Sequence, residues 1–114
     1  MHLGEFEQLL LFAIVRLEDE AYGNAIRQEI ETRTGRAVSP GAIYTVLERM
    51  ESKSLVSSEV TEATPARGGR RMRRYAIEPL GARALQETYA SLRRMAHGLG
   101  AKLDELASER GGRG

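Results

Sequence analysis

From Glu5 to Leu17 the apolar side chains Phe6, Leu9, Leu10, Ala13, Ile14 and Leu17 recur three and four residues apart, which predicts an amphipathic helix. Leu11, Phe12 and Val15 fill the flank that a surface helix would leave polar. Such a helix must be covered on two sides, by its own core and by a second chain or a helix folded back over it. After the acidic Glu18, Asp19 and Glu20, an inward stripe of Tyr22, Ala25, Ile26 and Ile30 predicts a second helix over 22–34, with Gly35 placed for a left-handed cap. Ser39 and Pro40 then mark a third start, a hydroxyl for the open amides followed by a proline where no amide is needed. The helix predicted over 40–53 turns Ile43, Val46, Leu47 and Met50 inward. It turns Gly41, Tyr44, Thr45, Glu48, Arg49 and Ser52 outward.

Beyond this helix the period changes to two. Leu55 to Thr61 reads as a strand with Val56 and Val60 on one face, and Arg71 to Glu78 as a second with Tyr75 and Ile77 on one face. Pro65, Gly68 and Gly69 between them are turn residues, so the strands are expected to pair as a hairpin with arginines at its tip. From Pro79 to about Glu109 the pattern predicts one long helix, in which Leu85, Tyr89, Leu92, Ala96, Leu99, Leu103 and Leu106 form a heptad seam that packs helix on helix. Gly98 and Gly100 each cost about 1 kcal/mol against alanine in a helix interior, so a bend or fraying is expected there. Residues 110–114 are expected to be a disordered tail.

A chain of 114 residues supports one small core, and additional stabilisation from a partner subunit would suit it. With no cysteine, disulfide frameworks and thiolate metal sites are excluded. The longest apolar run, Leu9 to Val15, is far short of the roughly 20 residues of a membrane span, and the first residues are acidic where an export signal is basic. The expectation is a cytoplasmic protein with no membrane association. The net charge of +1 conceals an uneven distribution: residues 1–63 carry a net −5 and residues 64–83 a net +5, with five arginines and no acid between Thr64 and Tyr75. Such local asymmetry attracts polyanions even when the whole chain is near neutral.

The element order helix, helix, helix, hairpin, long helix is that of a winged helix-turn-helix, a mainly α fold with a small β-hairpin, here followed by a long C-terminal dimerisation helix. Residues 1–78 are expected to form the DNA-binding domain, 79–109 the dimerisation helix and 110–114 the tail. The third helix would enter the major groove of double-stranded DNA, where Gly41 and Ala42 let the backbone come close, Tyr44 and Thr45 donate, and Arg49 reaches a guanine edge or a phosphate. The wing would bring Arg67 or Arg70 toward a minor groove, with Gly68 and Gly69 permitting the approach and Arg71 and Arg73 beside them. For pairing of two copies the candidate surface is Leu11, Phe12 and Val15 of the first helix together with Leu85, Tyr89, Leu92, Ala96, Leu99 and Leu103 of the seam. No nucleophile–base arrangement or phosphate-binding glycine loop is present, so an enzyme is not expected; nor is a cofactor or a metal site. The rival reading is a winged-helix protein–protein interaction module without DNA readout. A scaffold has no physical reason to place five arginines on a glycine-tipped wing behind acidic helices, whereas DNA binding does.

The segments Leu3 to Leu11, Glu20 to Gly23, Val38 to Glu51, Arg67 to Arg71, Tyr75, and Pro79 to Gly81 together resemble the PadR family of bacterial transcriptional regulators, over about three-quarters of the chain. The short C-terminal part is similar to the compact branch of that family, which has a single C-terminal helix. The resemblance implies a homodimeric repressor, joined through the terminal helix and helix 1, that releases a palindromic operator when a small-molecule effector or other signal arrives. It also implies groove-facing roles for Ser39, Gly41 and Tyr44 and a wing over Arg67 to Arg71, while Phe12, Val15, Tyr89 and Leu92 either line a ligand space between subunits, as in some relatives, or form a dimer core with no cavity. Ser54 departs from the family's usual glycine after helix 3, where a left-handed turn would be strained by about 1 kcal/mol. Glu78 replaces a threonine-like cap before Pro79, and glutamate caps poorly.

Overall fold

The computed structural model of the chain describes residues 2–62, 68, 69 and 71–113, the last four by backbone alone. Its elements follow the order α1 (Glu5–Leu17), a 3-10 turn (Glu18–Glu20), α2 (Gly23–Thr34), α3 (Pro40–Ser52), β1 (Val56–Val60), β2 (Arg73–Ile77), α4 (Pro79–Ala96) and α5 (Gly100–Arg113). The first three helices begin and end where local chemistry places them. The Gly4 amide donates to the Glu7 carboxylate at 3.0 Å, Gly35 closes α2 at φ 72°, and the Ser39 hydroxyl accepts from the Ala42 amide at 3.2 Å with Pro40 in the first turn.

The core lies between these helices and the hairpin. Ile26 and Ile30 of α2, and Ile43, Val46, Leu47 and Met50 of α3, are buried as their spacing predicts. On α1 the buried arc is Leu10, Leu11, Ala13 and Ile14, while Phe6, Leu9, Phe12 and Leu17 are only partly buried. Leu11, expected on an open flank, is therefore a core residue with none of its surface exposed, and this corrects its assignment to a dimer surface. The reason lies outside the helix: α2, α3, β2 and α4 all pack against α1, widening the buried arc beyond what one apolar stripe demands. Leu85 is corrected likewise. It is buried with Gly81, Ala84 and Thr88 on the inward side of α4.

The two strands are antiparallel, with Val56 opposite Ile77 and Ser58 opposite Tyr75. They are shorter than the predicted 55–61 and 71–78, because the ladder gives way at either end to other bonds: Thr61 takes the Met72 carbonyl through both its amide (2.7 Å) and its hydroxyl (3.0 Å). A third, one-residue strand escaped the sequence pattern. Tyr22 bridges Arg74, and the Tyr75 amide donates to the Ala21 carbonyl at 2.9 Å, so the link between α1 and α2 docks β2 onto the helices.

The turn from α3 to β1 carries Ser54 at φ 63°, the left-handed conformation that favours glycine. The Leu55 amide returns to Met50 and the Glu78 amide donates to the Leu55 carbonyl, both at 2.9 Å. On top of this turn sits Gly81 of α4; a Cβ there would lie 2.1 Å from the Leu55 carbonyl oxygen, so only glycine allows the approach. Glu78 precedes α4 without a side-chain cap bond, as its chemistry suggests.

The single C-terminal helix expected over 79–109 is two helices. α4 ends at Ala96, His97 turns to ψ 125° and Gly98 to φ 78°, and α5 restarts at Gly100. Glycine's tolerance of positive φ turns the expected bend into a full interruption. The backbone stays helical to Arg113, where a disordered tail is expected from 110, because extending an existing helix adds one bond per residue fixed. Residues 100–109 are all exposed, and the molecule measures 55 × 30 × 20 Å. Its radius of gyration, 17.3 Å, exceeds the roughly 13 Å of a compact chain this long. α5 thus projects as an arm.

Candidate nucleic-acid interface

On α3 the row opposite the core runs Gly41, Thr45, Glu48 and Ser52, spaced as neighbours along one face, and all four are exposed. Ser39 sits at the head of the row, but its hydroxyl is occupied in capping. Tyr44 and Arg49 lie on the two flanks of this row and serve different neighbours. Tyr44 is 48 % exposed and leans over the start of α2, where a Cβ on Gly23 would fall 2.5 Å from its hydroxyl oxygen. Packing and exposure thus coexist in one side chain, whose ring edge and hydroxyl lie against the start of α2 while about half of the residue stays open to solvent. Arg49 is half exposed on the other flank, with Lys53; each has a nitrogen 4.0 Å from the Glu7 carboxylate of α1.

Gly23, Asn24, Tyr44, Arg71, Met72 and Arg73 enclose a concave pocket of about 410 Å³ where α2, α3 and β2 meet. Its polar side chains are those of two arginines, a tyrosine and an asparagine, and it abuts the first turn of α2, whose amides have no partners within the helix. The Asn24 side-chain oxygen accepts from Arg27 at 2.9 Å, which leaves the amide nitrogen for the pocket. No acid lines it. This arrangement suits an anion, and a DNA phosphate in particular.

The arginines of the wing are unequal. Arg73 donates to the Ser58 hydroxyl at 2.9 Å, and that hydroxyl contacts the Glu51 carboxylate of α3 at 2.9 and 3.0 Å. This chain ties both strands to α3, so Arg73 sets the wing's angle as much as it offers charge. Arg74 pairs with Glu59 across the hairpin, and that bond is the main reason its guanidinium is held even more firmly protonated than usual. Burial pushes the Tyr75 phenol above its ordinary pKa; Arg73 opposes the shift, while Glu51, Tyr44 and Glu48 add to it, so the ring stays neutral. Arg71 is exposed. Gly68 and Gly69, at φ 67° and 74°, form the exposed turn that glycine permits. Arg67 and Arg70 lie outside the described residues.

The sequence pattern missed Gly23, Asn24, Glu51 and Ser58. A glycine opening a helix, where it lowers stability, was the available hint of close approach at Gly23. Nothing local signals the Glu51–Ser58–Arg73 chain.

A second surface, on α1, α4 and α5, exposes large apolar side chains. Tyr89, Leu92, Leu99, Leu103 and Leu106 of the seam are 44–58 % exposed, and Met95, not part of the seam, is 78 % exposed. Ala96 is exposed beside them. Val15 of α1 is half exposed, and Phe12 meets Tyr89 edge to face at 5.5 Å. Between the start of α1 and α4 lies a cavity of about 500 Å³, lined in part by Leu9, Phe12, Thr88, Tyr89 and Leu92. Among the described residues no cluster of metal-ligating side chains occurs, and no helix is long and apolar enough to cross a membrane.

Comparison with solved structures finds the same architecture. A PadR-like transcriptional regulator from Bacillus cereus aligns with a TM-score of 0.70 at 23 % identity, covering 86 % of this chain and 90 % of its own. A PadR family transcription regulator from Clostridium difficile aligns at 0.68 and 25 % identity over 86 % and 98 %. F93 from STIV, described as a winged-helix DNA-binding protein, aligns at 0.66 and 14 % identity over 86 % and 98 %. No curated protein matches the sequence. Residues 11–87, from the core of α1 into α4, match the model of the Transcriptional regulator PadR-like family, whose members are regulators and not enzymes. With that match spanning more than half of its length, the chain belongs to the PadR-like family of transcriptional regulators.

Proposed function

We propose that this regulator is a cytoplasmic homodimeric repressor that binds a palindromic operator in double-stranded DNA and releases it when a small molecule or other signal arrives. The observation that carries the DNA reading is the donor-lined pocket shared by Gly23, Asn24, Tyr44, Arg71 and Arg73, beside the exposed row of α3. With a phosphate in the pocket, α3 lies along the major groove and presents Gly41 and Thr45 to base edges, with Arg49 at the flank. The wing, from Arg67 through Gly68 and Gly69 to Arg71, follows the neighbouring backbone. Residues 1–78 are then the DNA-binding unit and 79–109 the dimerisation arm.

Dimer formation is supported by the apolar surface of Phe12, Val15, Tyr89, Leu92, Ala96, Leu99 and Leu103, which water would otherwise cover. The cavity beside Phe12, Tyr89 and Leu92 is the natural place for an effector, since a ligand there touches both α1 and the dimerisation arm. The acidic excess of residues 1–63 keeps non-specific affinity low, so binding should depend on dimerisation and fall steeply with salt. Selection of bound fragments from the source genome tests the reading: an inverted repeat should emerge, with affinity dropping as salt rises. Tyr44→Phe should weaken binding to that operator several-fold at unchanged melting temperature. Failure to enrich any sequence would overturn DNA readout.

A further inference from the structure

The outward row of α3 contains one residue that phosphate binding does not explain. Glu48 stands in its middle, three residues after Thr45 and four before Ser52, and it is exposed. Three other carboxylates near α3 and the strands are engaged: Glu7 with the Gly4 amide and near Arg49 and Lys53, Glu51 with Ser58, and Glu59 with Arg74. Among the described residues Glu48 has no hydrogen bond or ion pair. Arg49, the next residue, lies on the other flank, with a nitrogen 4.0 Å from the Glu7 carboxylate.

A bare carboxylate on the face that approaches a polyanion is repelled by every phosphate, and only a donor can make its presence favourable. In the major groove guanine offers two acceptors and thymine an acceptor and a methyl, while the amino group of adenine sits beside an acceptor. Cytosine presents its amino group alone, and a carboxylate accepts from it. We propose that Glu48 is a specificity-determining residue that reads a cytosine amino group in each half-site. The inference rests on the DNA-binding reading above and deepens it. Attraction to DNA comes from the arginines and the pocket, and Glu48 selects by rejecting any base that presents an acceptor at its position.

The experiment is selection from a random duplex library with the full chain, Glu48→Ala and Glu48→Gln, followed by titration of the selected duplex and its single-base variants at several salt concentrations. The wild-type motif should contain one position per half-site occupied by cytosine, with roughly tenfold discrimination against other bases. Glu48→Ala should lose that preference alone, with the rest of the motif and the salt slope kept. Glu48→Gln should move it toward adenine, whose amino group and adjacent acceptor match an amide. Both variants should melt as the wild type does, since the side chain is exposed. A motif unchanged in both variants, or uniformly tighter binding of every duplex by Glu48→Ala, overturns the assignment of Glu48 while leaving DNA binding intact. A wild-type protein that enriches nothing overturns both.

Discussion

Two glycines show how single residues divide stability from function in this molecule. At Gly81 a methyl group would meet the backbone carbonyl of Leu55 at 2.1 Å, and neither partner can turn aside. At Gly23 it would meet the Tyr44 ring, the mobile end of a side chain. Gly81→Ala is therefore expected to destabilise by about 3 kcal/mol, an overpacking cost that alanine's better helix propensity only partly offsets. Gly23→Ala should stay within about 1 kcal/mol of the wild type, because moving the ring costs little and alanine suits the helix. It should instead weaken operator binding by displacing the Tyr44 hydroxyl from the pocket. Urea unfolding and DNA titration of the two variants check the pair, and a Gly23→Ala protein that binds normally would mean that Tyr44 does not need its present position.

At the scale of elements, the wing and α3 are joined by polar contacts. Glu51 near the end of α3, Ser58 on β1 and Arg73 on β2 form one chain, and β2 is also held to the helices through Ala21 and Tyr22. Ser58→Ala removes the middle link. A loss of about 1 kcal/mol in stability is expected from the missing bonds, with a several-fold loss of operator affinity as the hairpin angle loosens. Equal affinity in the variant would show that the Ala21–Tyr22 contacts alone set the wing. The elements also show where periodicity was a sufficient guide. The bounds and caps of α1, α2 and α3 follow from residues within a turn of each other. The break at Gly98 followed only in part, since glycine's presence marks a weak point but does not say whether the helix bends or stops.

As a whole, the molecule is a compact winged helix with a projecting arm that carries an apolar seam, and a seam of this kind is stable when covered. Leu92→Asp combined with Leu99→Asp should give monomers in sedimentation equilibrium and abolish cooperative operator binding, because two charges would be buried in the seam at a cost of several kcal/mol each. A dimer that survives both changes would move the interface elsewhere. The sequence by itself determined the order of elements, three helix boundaries, the hairpin and the family, since helical and strand periods, caps and turns are set by neighbours a few positions apart. It also located the arginine-rich wing, because charge needs no fold to be counted. Only the tertiary structure decided that Leu11 and Leu85 belong to the monomer's core and that Tyr44 packs on Gly23. It likewise decided that Arg73 and Arg74 are engaged by Ser58 and Glu59 whereas Glu48 is not. Each of these depends on what packs opposite, often tens of residues away along the chain, and local pattern carries no information about that distance.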